Sequence, residues 1–403
     1  MMDCRAPLLF RKSSEEITAS LIVAGDWAPI RAFAPIMAEK PEAIYGDLLP
    51  ILRSADLRVV NVEAPLSGGT PAVKSGAVFH GEAEHLAALT AVPFEVATLA
   101  NNHTFDSGIE GFLKTRTLLD AAGIRTLGAG CSESEASAFL PLEVNGIRIA
   151  LFNLSEGEDE TAAVGDKAGV HGWQPEKMAE TIRRERGNFA LIIVIAHCGL
   201  EYIPFPPPYV YEAFQCLADA GADMVIGHHP HVPQGMCIRN QVPLCFSLGN
   251  FAFYQETDLK YRKLGYMLKI GAGHSGLVSL EVIPYSINAD GLALLEGARC
   301  DEFARLFQEL SLPLASADGV LDAWHGFLAY YGERGYFQEV GRILQEWEKS
   351  PGKGAAMLRN RLLTLQHYWH WHDGLNRIVD GSICNAKAEY IAFAQRYFTE
   401  KRP

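Results

Sequence analysis

A layered α/β domain with a mixed sheet, followed by a helical carboxy-terminal part, is the architecture this sequence predicts. Three observations lead there. From residue 20 to about residue 285, apolar strand-like runs alternate with helix-like stretches. Several runs are continuously apolar and β-branched, above all Leu191-Ile192-Ile193-Val194-Ile195, as in strands covered on both faces. Beyond about residue 300 only helical texture remains.

In chain order, the strand candidates are residues 21–24, 57–62, 94–99, 147–154, 190–196, 224–226, 244–248, 266–270 and 277–283. Helices are expected over 84–90, 111–122, 175–186 and 209–220, with Gly123 and Gly221 placed where a left-handed residue ends a helix. The last two strands follow one another without a helix, which makes the sheet mixed. Gly271-Ala272-Gly273 between them reads as a hairpin turn. Pro204-Phe205-Pro206-Pro207-Pro208 reads as a stiff loop. Gly128-Ala129-Gly130 lacks the third glycine and the helix of a dinucleotide loop. Helices are then expected over 301–310, 321–332, 337–349 and 357–368. The division that follows is an amino-terminal segment 1–19, a main α/β domain 20–299 and a helical extension 300–403 packed on it.

The 403 residues carry a formal net charge of -13, which argues against broad binding to a phosphate backbone and so against a nucleic-acid surface. Eight cysteines, Cys4, Cys131, Cys198, Cys216, Cys237, Cys245, Cys300 and Cys384, form no C-x-x-C pair and read as reduced thiols. The start of the chain has only a short apolar patch at residues 6–10, and no apolar run reaches membrane-spanning length. A cytoplasmic location with no membrane segment is the expectation. The residues give no reading of oligomeric state.

The chemistry sits at strand ends. Gly227-His228-His229-Pro230-His231 follows the apolar run 224–226, and three imidazoles in four positions suit a metal better than a core. On an extended chain His229 and His231 point to one side. Five other expected strands end in polar groups too: Asp26 after 21–24, Asn61 and Glu63 at the end of 57–62, Asn101-Asn102-His103 after 94–99, His197 after 190–196 and Asn250 after 244–248. Sites in open α/β sheets are built at the carboxy ends of strands. Oxygen and nitrogen donors without cysteine suit manganese, iron or zinc. Six or so ligands exceed one tetrahedral zinc and match two ions, which together clamp a phosphate and lower the pKa of a bound water until it serves as hydroxide.

In the same order Gly25-Asp26, Asn61-Val62-Glu63, residues 99–108, His197-Cys198-Gly199-Leu200-Glu201-Tyr202, Gly221-Ala222-Asp223, residues 227–234 and Ser247-Leu248-Gly249-Asn250-Phe251 resemble the signature of CapA-type capsule-synthesis proteins. That family, linked to poly-γ-glutamate, belongs with the calcineurin-like metallophosphoesterases, and the resemblance spans about residues 20–285. It implies a four-layer α/β/β/α sandwich holding two divalent ions, here with the helical extension at its carboxy end. By the same resemblance Asp26, Glu63, Asn102, His197, His229 and His231 are ligands, with Glu63 the candidate bridge. His228 stands as the alternative to His229. His103 is implied as the general acid and Asp106 as the group that orients it, the other reading of Asp106 being a helix cap before Gly108. Glu201 and Tyr202 are implied on the substrate side, with Asn61, Asn250 and His228 supporting the ligands. Asp26 is followed by Trp27 and Ala28 where the superfamily carries Asp-x-His, so one ion has fewer ligands.

The function expected is metal-dependent hydrolysis of a small-molecule phosphoester, or of an amide in a glutamate-rich acidic substrate. The alternative is a non-catalytic accessory protein that binds an acidic polymer or an envelope-assembly partner. The string His367-Tyr368-Trp369-His370-Trp371-His372 reads as an aromatic packing surface, because residues 367 and 370 share a helix face that 372 leaves.

Overall fold

The computed structural model describes residues 8–402. Two sheets face each other. The first runs, in spatial order, Leu9–Arg11, Gly276–Asn288, Leu264–Gly273, Ala19–Trp27, Leu57–Val62, Val96–Thr98 and Arg125–Leu127, with Gly291–Leu294 beside Gly276–Asn288. From Ala19–Trp27 to Arg125–Leu127 neighbours are parallel; on the other side of Ala19–Trp27 they are antiparallel. The second runs Met236–Arg239, Val242–Cys245, Met224–His228, Leu191–His197, Ile147–Ser155 and Leu140–Val144. Its four central strands are parallel and its two edges antiparallel.

Strand Leu191–His197 shows why the sequence reads as an unbroken apolar run. Leu191, Ile193 and Ile195 pack between the sheets against Leu21, Val23, Leu57 and Val59. Ile192, Val194 and Ala196 face outward beneath Met178 and Ile182 of helix Pro175–Glu185 and Phe214 and Leu217 of helix Pro208–Asp219. In the first sheet Ile22, Ala24, Val60 and Val62 face outward under Phe33, Met37, Leu89 and Phe112. The result is the four-layer α/β/β/α sandwich, with helices at the carboxy end. Each such Val, Leu, Ile, Met or Phe side chain, once buried, stabilises the fold by about 1.5–3 kcal/mol.

Most expected elements form, and the differences have local causes. Gly123 and Gly221 are left-handed, with φ of 76° and 112°, as their positions after helices predict. The tight turn is not at Gly271-Ala272-Gly273: Gly273 still pairs with Gly276, and the turn is His274-Ser275, two residues on. The run 271–273 instead carries a register shift between Gly271 and Ala272. Strand 244–248 is Val242–Cys245. The separate helices expected over 321–332 and 337–349 are one element, Ala317–Lys349, interrupted where Gly332 adopts φ 62°. The helix expected over 357–368 is broken at Thr364, whose extended backbone separates Pro351–Leu363 from Leu365–Val379. A further helix, Ala388–Thr399, was not expected, and the first helix of the carboxy-terminal part begins at Gly297. The edge strands Leu9–Arg11, Leu140–Val144 and Met236–Arg239 escape the pattern because each is short and half exposed.

Ser311 accepts from the backbone N–H of Met236, and Tyr397 donates to the Pro233 carbonyl, so the carboxy-terminal helices are tied to the sandwich by polar contacts. Among the described residues no helix is long and apolar enough to cross a membrane, and Cys131, Cys198, Cys216, Cys237, Cys245 and Cys384 are free thiols. Cys4 lies outside the described residues.

Candidate functional site

The parallel strands of both sheets end at one edge of the sandwich, and the polar residues expected at strand ends converge there. Asp26 and Trp27 pair in register with Asn61 and Val62. His197 pairs with His228 across the second sheet. Asp26 also forms an isolated bridge with Asn250. Buried backbone hydrogen bonds therefore fix the origin of each side chain.

The histidine segment reaches the site by a different route from strand alternation. The strand stops at His228, and His229 and His231 take φ of 97° and 57°, a left-handed conformation that costs an L-residue on the order of 1–3 kcal/mol. These two turns around Pro230, not an extended backbone, aim both rings inward. Gly227 makes the approach possible, because a Cβ there would stand 1.9 Å from the Phe246 carbonyl oxygen.

The resulting cluster is tight. His229 Nδ1 is 3.1 Å and Asn102 Oδ1 3.0 Å from His197 Nε2, and Glu63 Oε1 is 3.4 Å from the same nitrogen. His231 Nε2 lies 3.7 Å from Glu63 Oε1, and His231 Nδ1 lies 3.4 Å from Asp26 Oδ2. Two sets of three donors lie close enough together to share an ion: Glu63 with His229 and His231, and Asp26 with Glu63 and His197. Glu63 belongs to both. His228 is in neither; its Nδ1 sits 3.2 Å from Asp26 Oδ1, which Asn61 Nδ2 also holds at 2.8 Å.

Electrostatics point the same way. Asp26 and Glu63 are fully buried, and Asp26 Oδ2 and both oxygens of Glu63 lack a hydrogen-bond partner. Such groups are expensive unless a cation meets them. Burial pushes Glu63 well above the carboxylate range, with Asp26 adding repulsion. Burial opposes ionisation of Asp26, yet the imidazoles of His228 and His231 beside it hold it well below. His231, despite desolvation, is pushed up to about 10 by Glu63 and Asp26. A donor set of carboxylates, an amide and imidazoles, with oxygens left unpaired, fits divalent manganese, iron or zinc.

His103 sits beside this cluster with its own support. Its Nδ1 is 2.6 Å from Asp106 Oδ2, and Phe79 stacks on the ring at 4.2 Å between centroids. Asp106 also accepts from the Phe79 N–H at 2.7 Å and from Lys74 at 2.9 Å. Asp106 is therefore not the helix cap; Ser107 occupies the N-cap of helix Gly108–Ala121. Burial and Lys74 together hold His103 below its ordinary value, against Asp106. Asn250 Oδ1 holds His231 Nδ1 at 2.8 Å, so its place is support for the ring. Glu201 and Tyr202 line a cavity of about 350 Å³ that opens between the site and the carboxy-terminal helices.

Residues that hold the site from outside the expected strand ends escaped the sequence reading, Phe79 among them. Lys74, buried to 4% exposure, binds the Asn102 carbonyl and Asp106 from a loop with no periodicity to mark it. Glu156 and Glu158 follow strand Ile147–Ser155, so the strand-end rule extended to this strand would have found them. Glu158 accepts from Asn102 Nδ2 at 3.1 Å. Gln366, on helix Leu365–Val379, lies 3.2 Å from His229 Nε2, in a part of the chain where no motif pointed to the site. The neighbouring aromatic string divides: His367 lies 3.6 Å from Glu158, His370 packs among Trp324, Phe327, Tyr331 and Tyr336, and His372 sits against Asp373 near the surface.

Comparison with known proteins agrees with the signature. The chain is 29% identical over 253 residues to the capsule biosynthesis protein CapA of Bacillus anthracis, covering 60% of this chain and 61% of that one. It is 29% identical over 248 residues to the PGA biosynthesis protein CapA of Bacillus subtilis, covering 60% and 65%. The chain thus spans less than two thirds of the length of either relative. Among solved structures it is similar to the Haemophilus influenzae NAD nucleotidase, with a TM-score of 0.44 and 16% identity over 72% of this chain and 55% of that one. The bacterial capsule synthesis protein family PGA_cap matches residues 20–255, more than half of the sequence, and the chain belongs to that family.

Proposed function

We propose that this protein is a metal-dependent hydrolase that cleaves a phosphoester, in the service of capsule or poly-γ-glutamate synthesis. The observation that carries the reading is the pair of three-donor groups sharing the buried, unpaired carboxylate of Glu63, with a carboxylate-oriented imidazole beside them. Asp26, Glu63, Asn102, His197, His229 and His231 are the residues that would hold two divalent ions. When bound, such ions supply charge for a phosphoryl group and acidify water.

The remaining steps belong to the chain. Asp106 accepts Nδ1–H of His103 and leaves Nε2 free to deliver a proton to the departing oxygen. Lys74 neutralises Asp106 and ties the Asn102 carbonyl to the same network, so the Asn102-His103 turn keeps its aim. Burial and Lys74, which lower the affinity of His103 for its proton, make it a stronger acid once protonated. Asn250 and Gln366 orient His231 and His229 from outside the cluster. The cavity lined by Glu201 and Tyr202 is where the non-reacting part of the substrate would lie.

The test is turnover of phosphoester substrates by wild type and His103→Ala, with bound metal measured in both. His103→Ala is expected to keep its metal and lose about 10²- to 10⁴-fold in turnover. Unchanged turnover would remove His103 from the acid role. Metal bound without turnover of any phosphoester in wild type would favour the accessory reading, in which the cleft binds an acidic polymer.

A further inference from the structure

A second charged feature lies away from the metal-type cluster and shares no residue with it. Helices Gly297–Ser311 and Ala388–Thr399, the chain from residue 400 to 402, and strands Leu264–Gly273 and Gly276–Asn288 enclose a cavity of about 820 Å³. Seven lysines and arginines line it against three carboxylates, an excess of four positive charges in a protein whose formal net charge is -13.

The carboxylates are already engaged. Glu302 and Glu400 bind Lys260 at 2.8 and 2.6 Å, and Glu309 binds Arg396 at 2.5 Å. Lys401 pairs with Asp258, which is not part of the lining. Four cations remain with no carboxylate in ion-pair contact among the described residues: Lys263, Arg299, Arg305 and Arg402. Arg299 spends one nitrogen on the Ser286 hydroxyl at 3.0 Å, and Arg402 binds Asn288 Oδ1 at 3.0 Å and the Ile287 carbonyl. Lys263 donates to the Gln255 carbonyl and lies 3.3 Å from the centre of the Tyr254 ring. Arg305 has no partner among the described residues.

Cations gathered around one cavity repel each other, and that repulsion is visible here. Burial, then Arg402 and Arg31, brings Lys263 down to about 8, and Arg402 is lowered by burial and by Arg299. Three guanidinium forks with unused donors match carboxylate or phosphate oxygens in a way that point charges do not. The volume far exceeds a single oxyanion and suits a ligand with several linked anionic groups.

We propose that this cavity binds a linear polyanion, a chain of linked carboxylates or phosphates, through Arg299, Arg305 and Arg402. Such a site would hold an anionic chain at a surface independent of the metal-type cluster. It does not rest on the hydrolase reading.

The test is calorimetric titration of the full, metal-stripped chain at low salt with tripolyphosphate, tetraglutamate and inorganic phosphate. Binding of either chain is expected, weakened roughly tenfold in Arg305→Gln and in Arg299→Gln, weakened by added salt, and unchanged in Glu63→Gln. Tighter binding of tetraglutamate assigns a carboxylate repeat, and tighter binding of tripolyphosphate a phosphate repeat. Absence of binding by both chains, inorganic phosphate binding as tightly as the chains, or affinity untouched by both arginine substitutions would overturn the proposal. Arg305 is solvent-exposed, so its variant is expected to fold even where Arg299→Gln does not.

Discussion

Glu156 shows how far surroundings alone set the behaviour of one group. It follows strand Ile147–Ser155, accepts from the Gly199 N–H at 3.2 Å and from the Tyr209 hydroxyl, and keeps its other oxygen out of water without a partner. Burial pushes its pKa to about 8, outweighing those two hydrogen bonds. A carboxyl that holds its proton more tightly when folded contributes stability that is complete below its ordinary pKa of about 4.5 and is lost as pH rises through about 8. Glu156→Gln removes that slope. In urea titrations of the metal-stripped protein, the variant is therefore expected to gain on wild type between pH 5.5 and pH 8; a constant difference would show that the carboxyl is not buried as described. The same residue scale explains what was legible beforehand. Asp26, Glu63, Asn102, His103, His197, His229 and His231 could be read because they close strands with residue types that carry metal or proton chemistry. Lys74 could not, since its role depends on a loop folding back over Asp106.

At the scale of elements, the sandwich was legible because period and burial agree. Strand Leu191–His197 is apolar at every position before its final histidine because both of its faces are covered, and helix Pro175–Glu185 alternates at its own period against it. Breaks were less legible. Nothing apolar distinguishes Thr364 from its neighbours, yet its extended backbone ends one helix and starts the next, turning Gln366 into the site. Gln366 is 2% exposed and bonds the ring nitrogen of His229 that faces away from His197. Outer partners of this kind fix the ring of a ligand, and losing one typically weakens metal binding about 10- to 100-fold. Gln366→Leu is expected to show that loss in metal affinity measured by competition with a chelator, with Gln366→Glu restoring part of it. Equal affinities in all three proteins would mean that the carboxy-terminal helices pack beside the centre without supporting it.

Across the whole molecule, one cluster of carboxylates and imidazoles and one cluster with an excess of cations occupy different places. Carboxylates and imidazoles gather at the carboxy ends of the parallel strands, while arginines and lysines gather between the antiparallel strands and the final helices. Net charge alone foretold neither, because a value of -13 averages over both. Family membership accounts for residues 20–255, and the helices beyond them add Gln366, Asn360 and His367 around Glu158 and His229. The site is thus completed by a part of the chain outside the matched region. On the proposed reading, the strand ends of both sheets would hold two divalent ions, with Glu63 a ligand common to both donor groups. Elemental analysis of the full chain, reconstituted with manganese, iron or zinc and freed of excess, tests it most directly. Two equivalents per chain in wild type, falling to one or none in Glu63→Ala while the protein stays folded, is the result predicted; no bound metal in wild type, or two equivalents retained in Glu63→Ala, would contradict it.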